Sequence, residues 1–131
     1  MDHHHVAIAL ISRHGRWLVQ QRRAGVPLAG SWEFPGGKVE AGESGATALL
    51  REVMEEVGMA VTIDRALPPL THDYADRRVT LHPFVCTATD APVACEGQLL
   101  RWVTAEELAN LEIPAANRAL LSHLQAGEGA R

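Results

Sequence analysis

Three glutamates share one stripe of a single helical segment, and that stripe limits what the chain can be. Ser44 opens a stretch that reads as a helix to about Val57 and stops at Gly58. Within it Glu52, Glu55 and Glu56 stand at i, i+3 and i+4, so they span about 100° of one face. Ala46, Leu50, Val53 and Val57 fall on the roughly opposite face, which is expected to pack on a sheet. Like charges at these spacings each destabilise a helix by about a few tenths of a kcal/mol. Two readings follow. The stripe is a solvated acidic face, or it recovers the repulsion by holding a cation. Carboxylates alone as ligands point to a hard divalent ion, Mg²⁺ or Mn²⁺.

Composition narrows the class. The chain has 131 residues, 47% of them apolar and 21% charged, which fits one globular domain and excludes a disordered chain. The longest fully apolar run, Val6 to Ile11, is far too short to span a membrane. No basic segment followed by a long apolar stretch marks an export signal, so a cytoplasmic protein is expected. A formal net charge of −4 argues against a nucleic-acid binder. Cys86 and Cys95 lack zinc spacing and read as two small hydrophobes in a reducing compartment. The short run His3, His4 and His5 beside the initiator Met reads as a flexible tail rather than a metal site. Residues 1–5 and 126–131 are both expected to be flexible ends of a single domain, 1–131.

Val6 to Ile11 and Trp17 to Arg22 read as strands of a hairpin turning at Arg13-His-Gly-Arg16. Gly25 to Gly30 is a loop, Trp32-Glu-Phe34 is short and extended, and Pro35-Gly-Gly37 ends it. Val61 to Leu70 is a strand closed by Pro68-Pro69. Pro83 interrupts a strand from Val79 to Thr87, which predicts an edge or a bulge. After a strand from Leu99 to Val103, Thr104 and Glu107 form a capping box for a helix over Ala105 to Asn110. Pro114 opens a last helix, about Ala115 to Gln125. This order of elements predicts an α/β fold with a helix on at least one sheet face.

The flanks of the acidic stripe carry further constraint. From Gly37 the chain runs five residues to Glu43, seven more to Arg51, then Glu52, Val53, Met54, Glu55, Glu56, Val57, Gly58 and Met59. This is G-x5-E-x7-R-E-U-x-E-E-x-G-U, with U aliphatic, and on it the chain is identified as a member of the Nudix hydrolase family. The resemblance implies an α/β/α sandwich with a mixed sheet and the signature loop and helix. It also implies hydrolysis of a nucleoside diphosphate linked to another group, with Mg²⁺ as cofactor and Mn²⁺ able to substitute. Glu52, Glu55 and Glu56 would hold the metal, joined by the Gly36 carbonyl and by Glu96 as a further ligand or proton acceptor. Arg51 would pair with Glu43 to brace loop against helix.

Outside the signature the chain resembles the MutT-type 8-oxo-dGTP diphosphatases of that family. Trp32-Glu-Phe-Pro-Gly-Gly-Lys-Val-Glu40, Gln21-Arg-Arg23, Asp76-Arg-Arg-Val-Thr-Leu81, Glu96-Gly-Gln98 with Trp102, and Pro114-Ala-Ala-Asn117 carry the likeness. It implies that Asn117 reads the purine edge, since an amide both donates and accepts. Phe34, Asp76 and Arg77 would lie by the base. Arg23 would contact the nucleotide, or Arg22 in its place because the following loop is one residue shorter, and Lys38 would meet phosphate charge. Each has a plainer reading: Asn117 as a helix N-cap, Arg77 as a solvated charge, Phe34 as a core aromatic. Leu28, Trp32 and His82-Pro83 depart from the pattern near the base, and His72, Asp73 and Tyr74 have no assigned role. The expected partner is a free nucleotide, met by a monomer without nucleic acid or membrane. CTP, another nucleoside triphosphate or ADP-ribose stands as the alternative substrate. A non-catalytic module that recognises oxidised guanine in DNA is disfavoured by the intact glutamates.

Overall fold

The computed structural model describes residues 2–25 and 29–125. Strand β1 (Asp2–Arg13) is the spine of the molecule, and its alternation builds two cores. Ala7, Ala9 and Ile11 face one side, Ile8 and Leu10 the other, and all five are buried. A strand buried on both faces reads as a continuous apolar run, which is what Val6 to Ile11 shows.

β1 pairs in parallel with β7 (Arg77–Thr87) and antiparallel with β4 (Gly36–Lys38). Beyond β7 lie β5 (Thr62–Ala66) and β6 (Leu70–Asp73). Past Arg13 the chain turns into β2 (Arg16–Gln21), which carries β3 (Trp32–Glu33) and β8 (Leu100–Val103). The sheet is mixed and runs β3-β2-β1-β7-β5. Helix α1 (Gly45–Val57) covers one face through Ala48, Leu49, Val53 and Val57. The other face is covered by α2 (Ala105–Ala109), α3 (Ala115–Arg118) and α4 (Leu121–Gln125), through Leu108, Ala116, Leu121 and Leu124. The result is the α/β/α sandwich expected from the sequence.

The local signals act as read. The Ser44 hydroxyl accepts the Thr47 N–H at 3.1 Å, and Gly58, at φ 62°, ends α1. Thr104 and Glu107 form the capping box of α2.

Six expectations change. The strand read from Val61 to Leu70 ends at Ala66, and Leu70 opens the separate strand β6 beyond Pro68-Pro69. Asp2 to His5 are not a flexible tail but the start of β1, laid along Arg77 to Thr80. There His3 Nε2 lies 2.7 Å from Thr80 Oγ1, and His5 Nδ1 lies 2.9 Å from His82 Nε2. Pro83 sits in an interior strand rather than at an edge. Its carbonyl accepts the Leu67 N–H, so the position without an N–H faces the break between β5 and β6. Gly36 and Gly37 belong to β4 instead of ending a strand. The final helix is divided at Ala119-Leu120, where i→i+3 bonds from Leu120 to Asn117 and from His123 to Leu120 tighten the backbone. The buried stripe of α1 also differs. It takes Ala48 and Leu49, while Leu50 is 44% exposed and Ala46 half-buried. Leu49, Val53 and Val57 form one i, i+4, i+8 row, and Glu52 and Glu56 flank that row rather than opposing it. Cys86 is buried and Cys95 exposed, both as free thiols. Residues 126–131 and Leu28 lie outside the described residues.

Candidate active site

The acidic stripe of α1 faces β4, and two glycines make the approach possible. A Cβ on Gly36 would run into the Ala7 carbonyl, and one on Gly37 into the Glu52 carboxylate. The loop between β4 and α1 is tied to the helix by one side chain. Arg51 donates from Nε and Nη2 to both oxygens of Glu43, at 2.8 and 2.9 Å, and from Nη2 to the Lys38 carbonyl at 3.2 Å. Its Nη1 donates to Glu52 at 2.8 Å and lies 3.6 Å from Glu55. Glu43 also accepts the Glu40 N–H at 2.9 Å. The forked Arg51 bonds hold the Glu43 carboxyl down at about 2 and push the Arg51 guanidinium further above its usual range.

Glu56 stands differently. Burial raises its carboxyl to about 8, against the pull of bonds from Gln20 Nε2 at 2.7 Å and the Gly36 N–H at 3.2 Å. The charges of Glu52 and Glu33 push it the same way as burial. A buried network holds this carboxylate in place. Gln98 Nε2 donates to Gln20 Oε1 at 2.9 Å and to the Glu56 carbonyl at 2.8 Å, and Gln98 Oε1 accepts the Glu96 N–H at 2.9 Å. Glu96 lines the adjoining cleft with Gln20, Arg22, Arg23, Glu33 and Gln98.

As they stand, no three His, Cys, Asp or Glu side chains among the described residues converge on one point. Glu52 is turned to Arg51 and Glu56 to Gln20. The donor set nonetheless fits a divalent cation. It is all oxygen, carried on one helix stripe beside a glycine strand, and it includes a buried carboxylate that burial drives toward protonation. A cation would favour the same carboxylate in its charged form.

On the other side of β4 and β1 lies a cavity of about 250 Å³. Arg22, Lys38, Arg77 and Asn117 line it, together with His4, Glu33 and Tyr74. Arg22 Nη1 donates to both Glu33 oxygens at 3.0 and 3.2 Å. Burial nevertheless pushes the Glu33 carboxyl up. Asn117 is 7% exposed and its Oδ1 has no hydrogen-bond partner. It is not a helix N-cap, since Pro114 takes that place in α3.

Three residues fall elsewhere. Phe34 does not reach the cavity; it is 1% exposed, and apolar burial places it in the core among Ile8, Leu10 and Leu108. Asp76 points outward and pairs with Arg77 at 3.0 Å. Arg23 lines the Glu96 cleft rather than the cavity. Trp32 lies under the Arg101 guanidinium, 5.4 Å from its ring centroid. The sequence reading missed Gln20, Gln98, Glu33 and Tyr74. Glu33 carried a signal as the polar residue between Trp32 and Phe34, and Gln98 as the end of the Glu96-Gly-Gln98 stretch.

The NUDIX domain model matches residues 6–123. The 8-oxo-dGTP diphosphatase of Proteus vulgaris is 42% identical over 84 residues, covering 63% of this chain and 75% of that protein. The CTP pyrophosphohydrolase of Escherichia coli (strain K12) is 35% identical over 127 residues, covering 96% of this chain and 94% of that protein. The solution structure of the E. coli ORF135 protein superposes with a TM-score of 0.85 at 35% identity, covering 100% of this chain and 94% of that one. The chain belongs to the Nudix family and is a Nudix pyrophosphohydrolase, a class that generally works with divalent metal ions. Among the described residues no helix is long and apolar enough to cross a membrane.

Proposed function

We propose that the chain hydrolyses 8-oxo-dGTP to 8-oxo-dGMP and pyrophosphate with Mg²⁺, Mn²⁺ being able to substitute. The observation that carries this reading is Asn117. Its Oδ1 is a buried acceptor without a partner, on the wall of a cavity. Leaving such a group unpaired costs about 1–3 kcal/mol, which a matching ligand donor recovers. Oxidised guanine carries a hydrogen on N7, where guanine has only an acceptor, so Oδ1 meets the one and repels the other. Arg22, Lys38 and Arg77 supply positive charge around the same cavity. The 8-oxo-dGTP diphosphatase of Proteus vulgaris is a relative of this chain.

Glu52, Glu55, Glu56, the Gly36 carbonyl and Glu96 would hold the cations, which supply neutralisation of phosphate charge and activation of water when bound. The chain's own groups do the rest. Glu52 or Glu96 accepts the proton of the attacking water. Lys38 faces the charge that develops on the phosphate oxygens. Arg51, held by Glu43, keeps the loop against the helix. Attack falls on the β-phosphorus, so in H₂¹⁸O the label enters pyrophosphate. Label appearing only in the monophosphate would overturn that step. The setting that fits is a monomer clearing oxidised guanine nucleotides from a cytoplasmic pool.

CTP is the second reading, because the CTP pyrophosphohydrolase aligns over nearly the whole chain and the cytosine amino group is also a donor to Asn117 Oδ1. Steady-state kcat/KM for 8-oxo-dGTP, dGTP, CTP and ADP-ribose decides. The proposal expects 8-oxo-dGTP first by at least about tenfold over dGTP, equivalent to one hydrogen bond to a buried amide. A ranking led by CTP or ADP-ribose overturns it.

A further inference from the structure

Tyr74 stands in the turn between β6 and β7, and its hydroxyl and its ring act on different elements. The hydroxyl accepts the Ala116 N–H at 3.0 Å. Ala116 is in the first turn of α3, whose N-cap, Pro114, offers no side-chain acceptor. A donor of that helix end is thus satisfied from another part of the fold. Asn117 is the next residue. The Tyr74 ring lies 4.6 Å from the Arg77 guanidinium and meets the His72 ring edge-on. The Tyr74 N–H closes the turn onto the Arg77 carbonyl at 2.8 Å. Tyr74, Arg77, Ala116 and Asn117 all line the one cavity.

We infer that Tyr74 is a positioning residue for base recognition: it seats α3 so that the Asn117 amide meets the base, and holds Arg77 at the cavity wall. The inference rests on the reading of Asn117 given above. Besides this bond, α3 is held by Arg118, whose Nη2 donates to the Leu111 carbonyl at 3.0 Å, and by the burial of Ala116 in the core. The helix has four residues and no side-chain cap of its own, so by itself it is too short to be stable. The bond from Tyr74 therefore bears directly on where Asn117 stands. No other residue among those described bridges the β6–β7 turn to α3 through a hydroxyl.

The test is a double-mutant cycle of Tyr74→Phe and Asn117→Ala, measured on whichever nucleotide the wild type turns over best. Tyr74→Phe keeps the ring over Arg77 and removes only the acceptor. It should raise KM about fivefold, the ratio equivalent to one neutral hydrogen bond, with kcat within about twofold. Its Ala116 amide should lose protection from hydrogen exchange while the melting transition stays cooperative. Tyr74→Leu, which also loses the contact with Arg77, should raise KM further. In the Asn117→Ala background Tyr74→Phe should have no added effect on KM, because its target is gone. Effects that simply add overturn the inference, as does a KM unmoved by Tyr74→Phe or a loss confined to kcat. The two readings fail separately. If Asn117→Ala leaves the nucleotide preference intact, base reading by Asn117 fails. If Asn117→Ala abolishes the preference and Tyr74→Phe changes nothing, only the role of Tyr74 fails.

Discussion

Gly37 has no side chain where the Glu52 carboxylate passes, and this ties the strand directly to the acidic stripe. A methyl group there cannot be absorbed by β4, which is paired to β1 at Ala7↔Gly37, so the carboxylate must move. Gly37→Ala should leave the melting transition cooperative and cut turnover by about a hundredfold, the usual effect of misplacing a reacting group by about 1 Å. Turnover equal to that of the parent would show that Glu52 does not need this position. The two buried glutamines make a related point. Gln20 and Gln98 pass hydrogen bonds from the Glu96 backbone to the Glu56 carboxylate. Spacing on α1 reveals Glu56 but not these two partners, because they lie on strand β2 and in the loop before β8.

Helix α1 shows how far periodicity carries. Its limits, caps and acidic stripe follow from local signals at Ser44, Gly58 and the three glutamates. Its buried row does not, since a helix carrying Leu49, Leu50, Val53 and Val57 offers more than one apolar face. The sheet selects Leu49 because Ala7 and Ala9 leave room for it above β1. Leu49→Ala should therefore cost about 2–5 kcal/mol, and Leu50→Ala only about 0.5 kcal/mol or less. Urea unfolding of the two variants checks this, and equal losses would contradict the packing. The start of β1 was hidden for another reason. Three adjacent histidines read as a tail, and only the pairing with β7 gives them partners. The cavity residues were within reach of resemblance, and Asn117, Arg77, Arg22 and Lys38 do line one space. Phe34 went astray because an aromatic beside a Pro-Gly-Gly stretch serves a core as readily as a ligand. The histidine pairing has a pH consequence. Partial burial, with His5 and His3 nearby, holds the His82 ring below its usual range. A ring whose folded value is depressed destabilises the fold as pH falls below about 6.5. Amide protection, corrected for the intrinsic slowing of exchange in acid, should fall selectively at residues 3–5 compared with residues 8–11 of the same strand on acidification. Uniform behaviour along β1 would contradict it.

The net charge of −4 takes its meaning from where the acids sit. Glu52, Glu55 and Glu56 share one helix stripe, with Glu33 near enough to raise Glu56 further. Most other resolved shifts among the acids, at Glu43, Asp73 and Glu107, are downward and come from arginines or backbone donors. Those three stabilise the fold above the usual carboxylate range and lose that contribution as pH falls through their lowered values. Glu56 has the opposite sign. Its folded value of about 8 lies above the ordinary 4.5, so the fold binds its proton more tightly than the unfolded chain does. The contribution is complete below about 4.5 and is lost as pH rises toward 8. Metal-free protein should therefore lose melting temperature between about pH 6.5 and pH 8, above the range in which the His82 ring acts and where ordinary carboxylates would leave it level. Mg²⁺ bound at the stripe favours the charged form, so saturating Mg²⁺ should raise the melting temperature more at pH 8 than at pH 5. Glu56→Gln should flatten the metal-free profile, since the amide has no proton to lose. A slope that survives in Glu56→Gln would assign it to another group, and an Mg²⁺ shift equal at both pH values would remove Glu56 from the cation's ligands.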